Sequence, residues 1–140
     1  MTVPADPALP LQDALIKMLR NDSAIKALVD ARVFDEPPAP AAAVFPYVTL
    51  GDDQIIGDDA EDCGDGSEVF AHIHVWTRTP GFVKTKEISA AIRNVLKTYP
   101  VLEGFEVTVV EFEQVQYLRD PDGKTRHGVL EFKFLISHTS

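Results

Sequence analysis

Residues 68–100 constrain the fold more than any other stretch. They open with Glu68-Val69-Phe70-Ala71-His72-Ile73-His74-Val75-Trp76-Thr77-Arg78, break at Thr79-Pro80-Gly81 and run on in helical phase to Tyr99. The opening is rich in β-branched and aromatic residues over one strand's length. Val69, Ala71, Ile73 and Val75 share one face; Phe70, His72, His74 and Trp76 share the other. Both faces are bulky, so the expectation is an internal strand covered on both sides, with Trp76 largely buried. Pro80 lacks a ladder N–H and Gly81 accepts a turn, which ends the strand. Beyond them Ile88, Ala91, Ile92, Val95, Leu96 and Tyr99 form one helical stripe, with Lys84, Lys86, Glu87, Arg93 and Lys97 opposite. A helix over 83–98 is expected. Residues 105–118 supply the third element of a βαβ unit.

The flanks follow from the same rules. Three prolines in residues 1–10 predict an extended arm. Leu11, Leu15, Met18 and Leu19 mark a helix, the capping residues Asn21, Asp22 and Ser23 interrupt it, and Ile25, Leu28 and Val29 mark a second. Residues 32–35 read as a short strand, residues 36–40 as a polyproline-like loop, and residues 45–50 as a strand with Pro46 at its start or on an edge. After residue 105 the apolar alternation slips phase before Val115, which predicts a β-bulge near Glu113. Asp120-Pro121-Asp122-Gly123 is a turn signal, and Leu130, Phe132, Phe134 and Ile136 mark one face of the last strand. The predicted fold class is α+β: a four- to five-stranded mixed, largely antiparallel sheet with helices packed on it, one βαβ unit and a C-terminal β-hairpin. One domain over residues 11–138 is expected, burying roughly 70% of its unfolded surface.

Charge is distributed unevenly. Ten acids and no Lys or Arg lie between Arg32 and Arg78, while the formal net charge of the whole chain is −9. Residues 51–67 are therefore expected to form an acidic loop or a loosely held hairpin tip, with Asp58, Asp59, Glu61, Asp62 and Asp65 facing solvent or a lumen. This balance argues against a nucleic-acid-binding surface. Asp58 to Asp65 does not match the spacing of an EF-hand calcium loop.

The sharpest enzymatic signal is His72-Ile73-His74, since histidines two apart on a strand point the same way, as metal ligands would. No carboxylate follows at the positions Arg78 and Thr79, where a cupin-type motif needs one. Packed, hydrogen-bonded histidines are the preferred reading. Ser67, Ser89 and Ser137 lie in no nucleophile elbow, and Cys63, the only cysteine, lies among carboxylates. No dinucleotide or P-loop motif occurs. Neither catalytic, cofactor-binding nor metal-binding residues are assigned, and no cofactor is expected. Residues 1–6 lack the basic and apolar regions of a signal peptide, and no run approaches a membrane span, so a reducing cytoplasm is the expected site of synthesis and assembly. Arg119, Asp120, Lys124, Arg126 and His127 form a charged tip that is the candidate subunit or tube interface.

Several ordered stretches carry a resemblance. They are Arg32-Val33-Phe34-Asp35-Glu36-Pro37, Pro46-Tyr47-Val48-Thr49-Leu50-Gly51, His74-Val75-Trp76-Thr77-Arg78 with Gly81, the helix from Ile88 through Leu96, and Leu118-Arg119-Asp120-Pro121-Asp122-Gly123 followed by His127-Gly128-Val129. Over residues 11–137 the chain resembles the tail-completion or tail-terminator proteins of long-tailed phages and gene transfer agents. The resemblance implies a structural, non-enzymatic virion protein. Members form a ring, typically of six subunits, on the head-proximal end of the tail tube. The ring stops tube polymerisation and joins the head connector, and DNA passes through it. Two alternatives remain: a connector stopper of the same architecture, and a metal-dependent small-molecule enzyme using His72 and His74.

Overall fold

In the computed structural model, residues 6–57 and 66–139 are described. Helix α1 (Ala8–Asn21) begins three residues before the expected start, so residues 8–10 are helical rather than part of an extended arm. Asp6 Oδ1 accepts from the Ala8 N–H, and Pro10 sits in the first turn, where a missing N–H costs nothing. Its stripe Leu11, Leu15 and Leu19 is buried. Helix α2 (Ser23–Val29) is capped by Asp22, whose carboxylate accepts from the Ile25 N–H.

Strand β1 (Val33–Phe34) is followed by a 3₁₀ turn (Pro40–Ala42) and by β2 (Tyr47–Gly57). Strand β3 (Gly66–Thr77) returns antiparallel to β2. Of the acidic stretch expected as a loop or hairpin tip over 51–67, residues 51–57 and 66–67 belong to the paired strands β2 and β3. Residues 51–57 keep their charges in solvent along the sheet's rim, which removes the electrostatic objection to a strand. Asp58, Asp59, Glu61, Asp62 and Asp65 lie outside the described residues.

Helix α3 (Val83–Val95) stops three residues short of the expected end, with Leu96 at its C-cap. Strands β4 (Phe105–Arg119) and β5 (Arg126–His138) form the C-terminal hairpin. The sheet order is β1-β2-β3-β5-β4. Strand β5 is antiparallel to both neighbours, so β3 and β4 run parallel with β5 between them, and the expected βαβ unit is a split one. The predicted bulge at Glu113 is present, between Phe112 and Gln114, and a second lies at Thr108.

All three helices pack on one face. That face buries Val48 and Leu50 of β2, Val69, Ala71, Ile73 and Val75 of β3, and Leu130, Phe132, Phe134 and Ile136 of β5. Thr85 of α3 lies over Gly128, where an added Cβ would meet its methyl at 3.0 Å, so glycine sets how closely the helix approaches the sheet. The expectation of a β3 covered on both sides is not met. Phe70, His72, His74 and Trp76 are only partly buried. No helix covers them; His74 and Trp76 are shielded sideways, by stacking with rings from β2 and β5.

Candidate assembly surface

Strand registers arrange the uncovered sheet face in rows. Tyr47, Trp76, His127 and Leu118 are neighbours across four strands, as are Thr49, His74, Val129 and Gln116. His72, Glu131 and Gln114 make the next row, and Phe70, Lys133 and Glu111 the one after.

The first two rows form an aromatic stack. The His127 ring lies 3.7 Å from Trp76 with an interplanar angle of 11°. His74 stacks on the same two rings. The Trp76 Nε1–H donates to Thr49 Oγ1 at 3.0 Å. At the rim, the Arg78 guanidinium lies 4.3 Å from the Phe45 ring centre, a cation–π contact.

A bulge in β2 between Gly51 and Gln54 turns Asp52 and Asp53 over the histidines, with Asp52 at φ 58°. His72 Nδ1–H donates to the Asp52 carbonyl at 2.8 Å, and His72 Nε2 lies 3.4 Å from Glu131. His74 Nε2 lies 3.3 Å from the Asp52 carboxylate, while His74 Nδ1 and His127 Nε2 are 2.8 Å apart. A carboxylate only accepts, so Nε2 of His74 carries a proton and its Nδ1 accepts from His127 Nε2–H. Burial lowers the pKa of His74, against the pull of Asp52. Burial, then His74, lowers that of His127 to about 4, opposed by Asp120 and Asp52. Both rings are neutral at pH 7, as one shared proton requires.

His74 and His127 form a hydrogen-bonded pair within the ring stack, and His72 bonds to the Asp52 carbonyl. Among the described residues, no three His, Cys, Asp or Glu side chains converge as a metal site needs. The remaining charge on this face is mostly negative. Lys133 is held between Glu68 at 4.0 Å and Glu111 at 3.6 Å.

The expected charged tip is divided by the fold. Asp122 organises the turn: its carboxylate accepts from the Lys124 and Thr125 N–H groups, both at 2.8 Å, and from Thr125 Oγ1 at 2.6 Å. The Thr125 hydroxyl and these backbone donors hold its pKa at about 2. Lys124 points to solvent, and Asp120 closes the turn by donating its N–H to the Thr125 carbonyl. Arg119 reaches the helix-bearing face, where its guanidinium lies 5.2 Å from Phe82. Arg126 is its cross-strand neighbour, and His127 turns to the opposite face, under Trp76. The five residues are thus close in sequence but are divided by the sheet, with Arg119 and His127 on opposite sides. Sequence reasoning missed Asp52 and Asp53, since a bulge, not their local pattern, aims them at the histidines.

Trp76 provides a measurable check. Half-buried and held by one hydrogen bond, it should cost about 1–3 kcal/mol on replacement by Ala, below the ~3–5 kcal/mol of a fully buried indole. Urea unfolding of Trp76→Ala measures this; a loss above about 4 kcal/mol would mean that this face is covered in the free protein.

Comparison with known proteins places this architecture. The profile of the family described as tail completion protein gp17 matches residues 13–137. The tail completion protein gp17 of Bacillus phage SPP1 is 27% identical over 95 residues, which cover 67% of this chain and 69% of that protein. Among solved structures, a chain from the virion of a native gene transfer agent particle superposes with a TM-score of 0.83. It is 28% identical, and the match covers 93% of this chain and 96% of the other. The structure of bacteriophage SPP1 gp17 shares the fold, with a TM-score of 0.60 at 24% identity over 95% of this chain and 94% of that one. No described helix is long and apolar enough to cross a membrane. A profile match spanning nearly the whole domain, on the same fold, shows that the chain belongs to the tail completion protein gp17 family, as a structural component of phage-type tails.

Proposed function

We propose that this protein is the tail terminator of a phage-like particle. Six copies close into a ring on the head-proximal end of the tail tube, stop its polymerisation and join it to the head connector. The observation that carries the proposal is the near-complete superposition, at 28% identity, on a chain from a gene transfer agent virion. The sheet supports it: one face is left without helices, and its partly buried rings and paired charges suit contact with protein. The tube protein and the connector are the partners, and the charged turn with Arg119, Asp120, Lys124, Arg126 and His127 belongs to a subunit or tube contact.

DNA passes through the ring without specific binding. A net charge of −9 per subunit repels phosphate, and the acidic segment with Asp58, Asp59, Glu61, Asp62 and Asp65 serves this purpose best on the lumen side. Assembly takes place in the host cytoplasm. Electron microscopy of particles made without this protein tests the function. Tails of uncontrolled length, unattached to heads, are expected; tails of normal length joined to heads would refute it.

A further inference from the structure

Positive charge gathers without an acid beside the start of α3. Arg126 pairs in register with Thr77 of β3 and with Arg119 of β4, and the Thr77 hydroxyl bonds to that of Thr85 in α3. Arg126 and Arg119 therefore lie on the helix-bearing face, next to the first turn of that helix. The Arg119 guanidinium lies 5.2 Å from the centre of the Phe82 ring there. Nε and Nη1 of Arg126 are buried and have no hydrogen-bond partner. A buried donor left without an acceptor costs stability, and a charged one costs more. Arg119, directly opposite, adds like-charge repulsion. Helix α3 has no side-chain cap and no acid in its first turn, so its positive end adds to the same field. Among the described residues, no carboxylate lies within ion-pairing distance of Arg119 or Arg126. A carboxylate arriving at the β4 edge supplies both the acceptor and the counter-charge, and its two oxygens match the guanidinium fork. Arg126 gives up no side-chain hydrogen bond in turning towards it.

The chain carries a matching group at its other edge. Among the described residues two pairs of acids are adjacent in sequence, Asp35-Glu36 and Asp52-Asp53. Asp52 and Asp53 are engaged with the histidines of the open face. Asp35 and Glu36 directly follow β1, the outermost strand on that side. Both are exposed, and neither has a cation within ion-pairing distance among the described residues. Pro37 and Pro38 stiffen the loop that presents them.

Four interstrand spacings, about 19 Å, separate β1 from β4, so these acids and arginines meet only between copies. We propose that Arg119, Arg126 and the start of α3 form a carboxylate-binding site, which in the assembled tail receives Asp35 and Glu36 of the next copy. Two different patches at opposite edges define a head-to-tail contact, the kind that generates a ring when its rotation closes. The inference rests on the ring reading above and names the charges that join the subunits.

Stability and incorporation should separate in the full-length variant Arg126→Met. The purified variant should unfold at an unchanged or higher urea midpoint, because the orphaned donors are gone. Particles complemented with it should carry at least tenfold fewer copies by quantitative mass spectrometry. Lys26→Glu, which reverses an exposed cation on α2, should incorporate normally. Arg119→Glu combined with Arg126→Glu should lose incorporation as Arg126→Met does. Adding Asp35→Arg and Glu36→Arg to that chain should restore at least half of the wild-type level, since the contact is then rebuilt with its charges exchanged. Normal incorporation of Arg126→Met, a lowered unfolding midpoint in that variant, or no recovery in the charge-exchanged chain overturns the site assignment, even where wild-type particles still carry a ring. A single wild-type copy per particle overturns both the site assignment and the ring.

Discussion

Replacing Phe134 by Ala is expected to destabilise the protein by about 3–5 kcal/mol. Phe134 is fully buried at the middle of β5, the strand that joins the two halves of the sheet. Its register partners are Val69 on β3 and Val110 on β4, and its ring lies 6.4 Å from that of Phe132. Truncation removes apolar area under the helices and leaves a void that backbone hydrogen-bonded on both sides cannot close. The loss is a large fraction of the roughly 5–15 kcal/mol that holds a domain of this size. Urea unfolding followed by circular dichroism measures it. The same substitution at the adjacent Leu135, which points to the open face, should cost far less. Equal losses at the two positions would contradict the one-sided core.

Acid should weaken the fold in a defined window, through His127. Its pKa is lowered from 6.5 to about 4, by burial first and then by His74. Stability is complete above pH 6.5, where the ring is neutral in both folded and unfolded chains. It falls as pH drops from 6.5 towards 4, because the unfolded chain takes up the proton first, and the loss is complete below about 4. His74, also lowered, adds to the loss in the same direction. Solvent reaches part of both rings, so the expected effect is about 1–2 kcal/mol rather than the full value of the shift. His127→Gln should reduce the loss of stability across this window, leaving the share due to His74. Trp76 is the only tryptophan and lies against His127, so the change of its emission with pH should be smaller in the variant, where only His74 remains beside it. An unchanged pH profile in His127→Gln would show that the acid sensitivity lies elsewhere.

Sequence alone revealed much of this fold because its period signals are local. The alternation from Val69 to Val75, the stripe from Ile88 to Leu96 and the phase slip at Glu113 each depend on near neighbours only. The faces of β3 were harder. Phe70, His72, His74 and Trp76 have the bulk of core residues, yet no helix covers them, and Tyr47 and His127, which stack beside Trp76 and His74, lie on other strands, a register no local pattern reveals. The first residues of α1 were obscured by prolines, which mark breaks in most contexts but are accepted in a first turn. The charged tip looked like one patch because five residues are close in sequence; strand alternation then sent Arg126 and His127 to opposite sides.

The position of β5 between β3 and β4 has a consequence for how the chain reaches its native state. Residues along β3 find their partners on β5 about sixty positions later; Ile73, for example, waits for Leu130. During vectorial synthesis β2 and β3 can pair early as a hairpin, and α3 can form, but the inner edge of β3 stays open until the last strand emerges. Such long-range closure slows folding and leaves an unpaired apolar edge exposed for as long as it lasts. A ribosome stalled between β4 and β5 would therefore hold the most aggregation-prone intermediate of the chain, and its nascent product should be a preferred client of chaperones that bind exposed strands.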